Sequence, residues 1–169
     1  MQLRGIANAS ELMAQAESSI YAWLKAESVD RVDVEIQGIG LVQDILVWLT
    51  VNGTKNHGRI PYGVAEPTIS DLRAAQVLPG RGAWTWCRLW MDVSDGVLHQ
   101  ECDWMREPDF GSVPAGAGEY AIELDIYPRD DEFIPDWLAE RAAVYEKRKE
   151  RNARRREARR RKRERERSE

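Results

Sequence analysis

Two histidines and a small group of carboxylates are the side chains best suited to acid–base or metal chemistry. His57 and His99 are the only histidines in the chain, and neither belongs to a metal-ligand spacing such as HExxH. Asp103, Glu107 and Asp109 could include a general acid and a general base, but carboxylates cluster on acidic surfaces for solubility as well. We therefore expect no metal site, and we expect that the protein is not an enzyme.

The glycine and serine patterns of common catalytic and nucleotide sites are missing from the sequence. There is no GxSxG nucleophile elbow and no P-loop. Gly38 and Gly40 lack the third glycine and the following helix of a dinucleotide-binding fingerprint. We therefore expect no cofactor.

Tryptophan is concentrated in one short stretch, which points to recognition instead. Residues 81–104 hold four of the seven tryptophans. The alternating residues around Asp95-Gly96 predict two strands joined by a tight turn at residues 94–96, because glycine accepts the positive φ that such a turn requires. This hairpin is the predicted recognition element.

The predicted register gives the hairpin two different faces. The apolar face, which suits a core, holds Cys87, Leu89, Met91 and Val93 opposite Trp104, Cys102, Gln100 and Leu98. The mixed face holds Trp86, Arg88, Trp90 and Asp92 opposite Met105, Asp103, Glu101 and His99. The mixed face suits partner recognition, but tryptophans half-buried under a helix and an ordinary Arg88–Asp103 ion pair are the structural alternative. A one-residue slip would exchange the two faces.

Charge divides the chain into two parts of opposite sign. Residues 146–169 hold 14 Lys and Arg against 6 Glu, a balance of +8, while residues 1–145 carry –12. The acidic body is a poor ligand for nucleic acid, because such binding depends on neutralising phosphates with Lys and Arg. The basic tail fits a solvated helix, a docking arm for an acidic partner, or a nucleic-acid contact. The candidate tail contacts are Arg154, Arg155, Arg156, Arg159, Arg160 and Arg161.

Length and composition indicate one ordinary domain. A chain of 169 residues is too short for two comfortable domains. It has no apolar run long enough to span a bilayer and no signal-like N-terminus, so we expect a cytoplasmic protein without a membrane partner. Cys87 and Cys102 are expected to be buried free thiols.

Hydrophobic periodicity predicts an α+β fold, with one antiparallel sheet of about four to five strands, flanking helices and a long charged C-terminal helix. Residues 1–138 form the predicted globular domain, and residues 139–169 form a helical extension with the Arg-rich tail. The predicted elements before the hairpin are a helix at 10–27 capped by Asn8 or Ser10, strands at 30–37 and 41–51, a loop or short strand at 59–62, and a helix at 69–78 capped by Thr68 or Ser70. After the hairpin we expect a short helix or turn at 119–127 and a helix that Pro135 opens.

The second half of the chain contains a pattern that spans residues 68–138. It combines a small helix, PGxGAW, two strands around a glycine turn, an EL...YPR segment and IPxWL, and it resembles the YezG-like immunity proteins of bacterial polymorphic toxin systems. The matching residues are Pro79, Gly80, Gly82, Ala83, Trp84, Gly96, Asp103, Trp104, Pro108, Glu123, Leu124, Tyr127, Pro128, Arg129, Ile134, Pro135, Trp137 and Leu138.

The resemblance implies a small α+β protein that binds and neutralises a cognate toxin, commonly a nuclease, without catalysis. An acidic protein can occupy a cationic nuclease groove while aromatic residues supply buried anchors. The predicted partner-binding residues are Trp86, Arg88, Trp90, Glu101, Asp103, Glu107 and Asp109. The alternative is a nucleic-acid-associated accessory protein that uses the basic tail, and an exposed tryptophan face also allows a homodimer.

Overall fold

A computed structural model describes residues 8–168 of the chain. It confirms the α+β class, with one antiparallel five-stranded sheet and a long C-terminal helix. The elements in chain order are α1 (Ala9–Glu27), β1 (Arg31–Ile39), β2 (Val42–Val51), β3 (Thr54–His57), α2 (Glu66–Ala75), β4 (Trp86–Asp92), β5 (His99–Asp103), α3 (Ala117–Ile126), a 3-10 turn (Asp131–Phe133) and α4 (Asp136–Ser168).

Helix α1 forms where the helical periodicity predicts it. The side chain of Asn8 accepts a hydrogen bond from the Ser10 backbone N–H at 2.8 Å, which confirms Asn8 as the N-cap. The predicted cap of α2 is wrong: Thr68 and Ser70 lie inside that helix, which begins at Glu66 with Ala65 as its N-cap.

The sheet has the strand order β3-β2-β1-β4-β5, and every neighbouring pair is antiparallel. The third strand is not at residues 59–62 as expected but at Thr54–His57, directly after Asn52-Gly53. Both turn residues have positive φ, 49° and 74°, which is the conformation of a tight hairpin turn that asparagine and glycine favour. The Asn-Gly pair therefore joins β2 to β3.

The main core lies between one face of the sheet and helices α1 and α2. Alternate residues of β1 and β4 point into it, including Val34, Ile36 and Leu89, where they meet Ile20 and Leu24 of α1. A smaller second core joins Ile39, at the end of β1, to Tyr120 of α3 and Leu138 of α4. Helix α4 runs without a break across the predicted boundary between residues 138 and 139.

The Trp hairpin has the predicted faces but a different register. Arg88 lies opposite Glu101 and not opposite Asp103, which instead faces Trp86. The register is shifted by two residues because residues 93–98, not a two-residue turn, connect the strands. A shift of two residues keeps each side chain on its predicted face, since side chains alternate with a period of two.

Candidate functional site

The sheet face opposite α1 and α2 carries polar and aromatic side chains from all five strands, and we call it the open face. Its members follow from the strand registers, which place alternate residues side by side. They are Lys55 and His57 of β3, Asp44, Leu46, Trp48 and Thr50 of β2, Arg31, Asp33, Glu35 and Gln37 of β1, Trp86, Arg88, Trp90 and Asp92 of β4, and His99, Glu101 and Asp103 of β5.

One row of the open face crosses all five strands and is nearly symmetric about its centre. It runs from His57 through Trp48, Asp33 and Trp90 to His99. The Trp90 and His99 rings are stacked with centroids 5.2 Å apart, and Trp48 meets His57 edge to face at 6.0 Å. These contacts hold both indoles in place before any partner arrives.

Asp33 is the electrostatic centre of this row. Its carboxylate accepts hydrogen bonds from Arg31 at 2.9 Å and from Arg88 at 2.7 Å, and the Lys55 ammonium lies 3.6 Å away. Burial is the largest single influence and raises the pKa of Asp33, but the bonds from Arg31 and Arg88 and the nearby charges outweigh it and bring the pKa far below its usual value. The carboxylate therefore stays ionised and ties β1 to β3 and β4.

A cleft of about 290 Å³ opens beside this cluster. It is lined by Asp33 and Glu35 from β1, Trp48 from β2, Lys55 from β3, and Trp86 and Arg88 from β4. Aromatic walls and fixed charges of both signs suit the insertion of a partner's side chain.

The predicted partner-binding residues divide into two groups. Trp86, Arg88, Trp90, Glu101 and Asp103 all lie on the open face. The Asp103 carboxylate is partly occupied, because it accepts the backbone N–H groups of Met105 and Arg106 at 2.8 and 3.1 Å and so shapes the turn after β5.

Glu107 and Asp109 lie outside the strands, in the loop that follows β5. Glu107 forms an ion pair with Arg141 of α4. The backbone N–H of Asp109 donates to the side chain of Gln37, so this loop covers one end of the open face. Both carboxylates therefore border the face without belonging to it.

The sequence reasoning missed the half of the open face that β1, β2 and β3 contribute. Trp48, Lys55 and His57 were not among the candidates, although a Trp next to an Asn-Gly hairpin was a usable signal. Polar and apolar residues alternate along β1, which places Arg31, Asp33, Glu35 and Gln37 on one side of the strand, but their position beside Trp90 depends on the strand order.

The residues that carry the family resemblance lie mostly in a different place, around a buried cluster of charges. Glu123 of α3 is fully buried and contacts Arg73 of α2 at 2.7 Å and Arg129 at 3.3 Å. Arg73 also donates to the carbonyl of Trp84, and Arg129 donates to the carbonyl of Ala83 at 2.6 Å. PGxGAW and the EL...YPR segment thus join the sheet to the α3–α4 unit.

Burial is the main influence on Arg129 and lowers its pKa, while Glu123 acts in the opposite direction. Hydrogen bonding with Cys87, followed by burial, raises the pKa of the Cys102 thiol, so this thiol stays protonated. Cys87 and Cys102 face each other across β4 and β5, and both are free as predicted; Cys87 is buried, but Cys102 is only partly buried.

The predicted tail contacts lie on α4, and they are not equivalent. Arg160 and Arg161 pair with Glu164 and Glu157 one turn away. Arg154, Arg155, Arg156 and Arg159 are exposed.

Two further observations concern residues 8–168 as a whole. No group of three or more His, Cys, Asp or Glu side chains among them is arranged to hold a metal ion. No helix in this range is both long enough and apolar enough to cross a membrane.

Comparison with known proteins assigns the chain to no family. No protein-family model matches the chain, and no curated protein matches it in sequence.

Proposed function

We propose that this protein is an immunity protein, which binds a cognate toxin through the open face and neutralises it in the cytoplasm without catalysis. One observation carries the proposal: the open face holds three half-buried tryptophans, and acids outnumber bases on it, although Asp33 itself is buried. The bases are Arg31, Lys55 and Arg88, and the acids are Asp33, Glu35, Asp44, Asp92, Glu101 and Asp103.

The aromatic part of the face supports tight binding because its side chains are held in position. Lys55 lies over the Trp48 ring at 5.5 Å, and Arg88 lies over the Trp90 ring at 5.1 Å. Each indole thus has a cation and a histidine ring beside it. A partner that buries such rings loses little side-chain entropy, which is the usual condition of an interface hot spot. Trp86 is less available, because Arg106 lies over its ring at 4.6 Å.

The charges of the face support a cationic partner. Arg31, Lys55 and Arg88 all contact Asp33, and Arg31 also bonds Asp92 at 2.7 Å. The remaining acids, which form no ion pair among the described residues, are Glu35, Asp44, Glu101 and Asp103, so the net charge of the face is negative. A nuclease toxin offers a basic groove of complementary charge, which would speed association and favour one orientation.

The test uses a double substitution on the open face, Trp90→Ala with Glu101→Lys. Glu101 is exposed, and its side chain forms no hydrogen bond or ion pair among the described residues, so its reversal changes the surface and leaves the fold. The matched control is Tyr62→Ala with Glu27→Lys, which also removes one exposed ring and reverses one exposed acid, outside the open face.

The full chain is used to capture a partner from lysate of its native cells, and the captured protein is then expressed alone and together with each variant. We expect a protein that is toxic alone and harmless beside the parent or the control. The open-face variant should fail to protect and should bind about 30-fold or more weakly, since one central hot spot contributes about 2 kcal/mol. Equal protection by both variants would place the binding surface elsewhere, and a captured partner without toxicity would refute the immunity function.

A further inference from the structure

Charges on helix α4 are segregated by face, although in the sequence they look mixed. Glu146, Glu150, Glu157 and Glu164 are separated by four, seven and seven residues. Such spacing returns to the same side of an α-helix. Most of the tail's glutamates therefore share one face and leave another face free of acid over several turns.

Away from these four glutamates, five arginines lie within about 100° of the circumference of α4, and we call them the basic stripe: Arg148, Arg155, Arg156, Arg159 and Arg163. Glu166 follows on the same side, about one turn after Arg163. All five are exposed. Within residues 8–168, none of them forms an ion pair, whereas Lys149, Arg160, Arg161 and Lys162 are paired with glutamates. The stripe is therefore a continuous cationic surface whose charge is not neutralised by the chain itself.

We propose that the basic stripe is a binding site for the phosphate backbone of double-stranded nucleic acid, without base specificity. At 1.5 Å per residue, residues 148–163 extend about 22 Å along the helix. Measured along the duplex axis, one strand offers a phosphate about every 3.4 Å, so the stripe matches the axial length of about six phosphates. Arginine suits this role because its guanidinium donates to phosphate oxygens in a fork.

The start of the stripe adjoins the N-terminus of α3. A cleft of about 600 Å³ between the two helices is lined by Gly116, Gly118, Tyr145, Arg148 and Arg156. Gly116 caps α3 without a side-chain hydrogen bond. The Glu119 N–H donates to the Gly116 carbonyl at 2.9 Å, which leaves the N–H groups of Ala117 and Gly118 to meet an anion. One phosphate of the bound backbone would sit in this cleft.

A second copy of the chain is the competing occupant, since its open face is acidic. That face is a weaker match because Asp33 and Asp92 are already paired with Arg31, Lys55 and Arg88. A phosphate backbone presents regularly spaced charges with no internal cations. Charge complementarity therefore favours nucleic acid.

The experiment measures fluorescence anisotropy of a labelled duplex of random sequence, about two helical turns long, titrated with the full chain at several salt concentrations. The stripe variant changes Arg148, Arg155, Arg156, Arg159 and Arg163 to Gln. The control changes Lys147, Arg151, Arg154, Arg161 and Arg165 to Gln, which removes the same charge from other faces of α4. Glutamine has a helix propensity close to that of arginine and lysine, and circular dichroism checks the helix content.

We expect the parent to bind the duplex and to lose affinity steeply between about 50 and 200 mM salt. The stripe variant should lower the magnitude of the slope of log K against log salt by about 4.5, at about 0.9 for each of the five lost phosphate contacts, while the control keeps most of the slope. Equal losses in the two variants would overturn the stripe as a site, because only net charge would then matter. A parent that does not bind the duplex, or that self-associates through the stripe in sedimentation, would overturn the nucleic-acid partner. The open-face substitutions should leave this binding unchanged, so the result is independent of the immunity proposal.

Discussion

The buried charge cluster around Glu123 makes a demanding prediction about stability. Glu123→Gln keeps the shape of the side chain but removes its charge, and it replaces one acceptor oxygen with an NH₂ donor. The native carboxylate accepts from Arg73 at 2.7 Å, from Arg129 at 3.3 Å and from the Gly40 N–H at 2.8 Å. Whichever way the new amide turns, one donor then faces another donor.

The size of the effect follows from the two cations that lose their partner. The side chains of Arg73 and Arg129 are at most 1% exposed, so neither can be hydrated without opening the structure. Removing one partner of a buried ion pair costs about 3 to 5 kcal/mol. Since a domain is stable by only about 5 to 15 kcal/mol, we expect Tm to fall by about 10 °C or more.

The assay is urea unfolding followed by tryptophan fluorescence and circular dichroism. The matched control is Asp125→Asn, an isosteric loss of one negative charge at an exposed position of the same helix, which should change the free energy of unfolding by less than about 0.5 kcal/mol. A Glu123→Gln protein within about 1 kcal/mol of the parent would refute the assignment of the cluster as a buried, charge-dependent joint.

Two further predictions concern the sheet. Hydrogen bonds and charges keep the pKa of Asp33 below its unfolded value, so its stabilising contribution is complete above about pH 4 and is lost as pH falls below that. Asp33→Asn should therefore make the free energy of unfolding less dependent on pH below about pH 4. An unchanged pH dependence in this range would contradict the role of the ion cluster. The second prediction compares two glycines with positive φ, Gly40 at 57° and Gly53 at 74°. A Cβ added at Gly40 would lie 2.5 Å from the Glu119 carboxylate and 2.6 Å from the Glu119 backbone oxygen. A Cβ added at Gly53 would meet no atom within 4 Å. Gly53→Ala should cost about 1 kcal/mol and Gly40→Ala about 1 to 3 kcal/mol more in urea unfolding, and equal costs would mean that the close approach of α3 is not rigid.

Local patterns were enough to predict what local physics determines. Helix α1 and its Asn8 cap follow from helical periodicity and capping chemistry, and the alternation in β1 assigns its polar side. The hairpin faces were correct even though the register was not, because an error of two residues preserves the alternation. The length of the 93–98 connection has no comparable local signal.

The candidate site was half predicted because its other half depends on strand order. Trp48 and Trp90 are distant in sequence, and they share a row only because β1 lies between β2 and β4. The segregation of charge on α4 was also overlooked, because counting charges along the tail ignores the side of the helix on which each lies. Pairing between strands distant in sequence determines the Trp48–Trp90 row, and helical geometry determines the separation of charges on α4.

Apart from Asp103, the residues that carry the resemblance are not the residues predicted to meet a partner. Gly80, Ala83 and Trp84 offer backbone carbonyls to Asp130, Arg129 and Arg73 in the joint between the sheet and the α3–α4 unit. Changes there act on folding. The open-face side chains, in contrast, do not contribute to this buried cluster, so a residue such as Glu101 can be substituted without disturbing the joint. This arrangement would let one fold serve different partners, and it explains why the open-face and Glu123 variants should separate loss of binding from loss of stability.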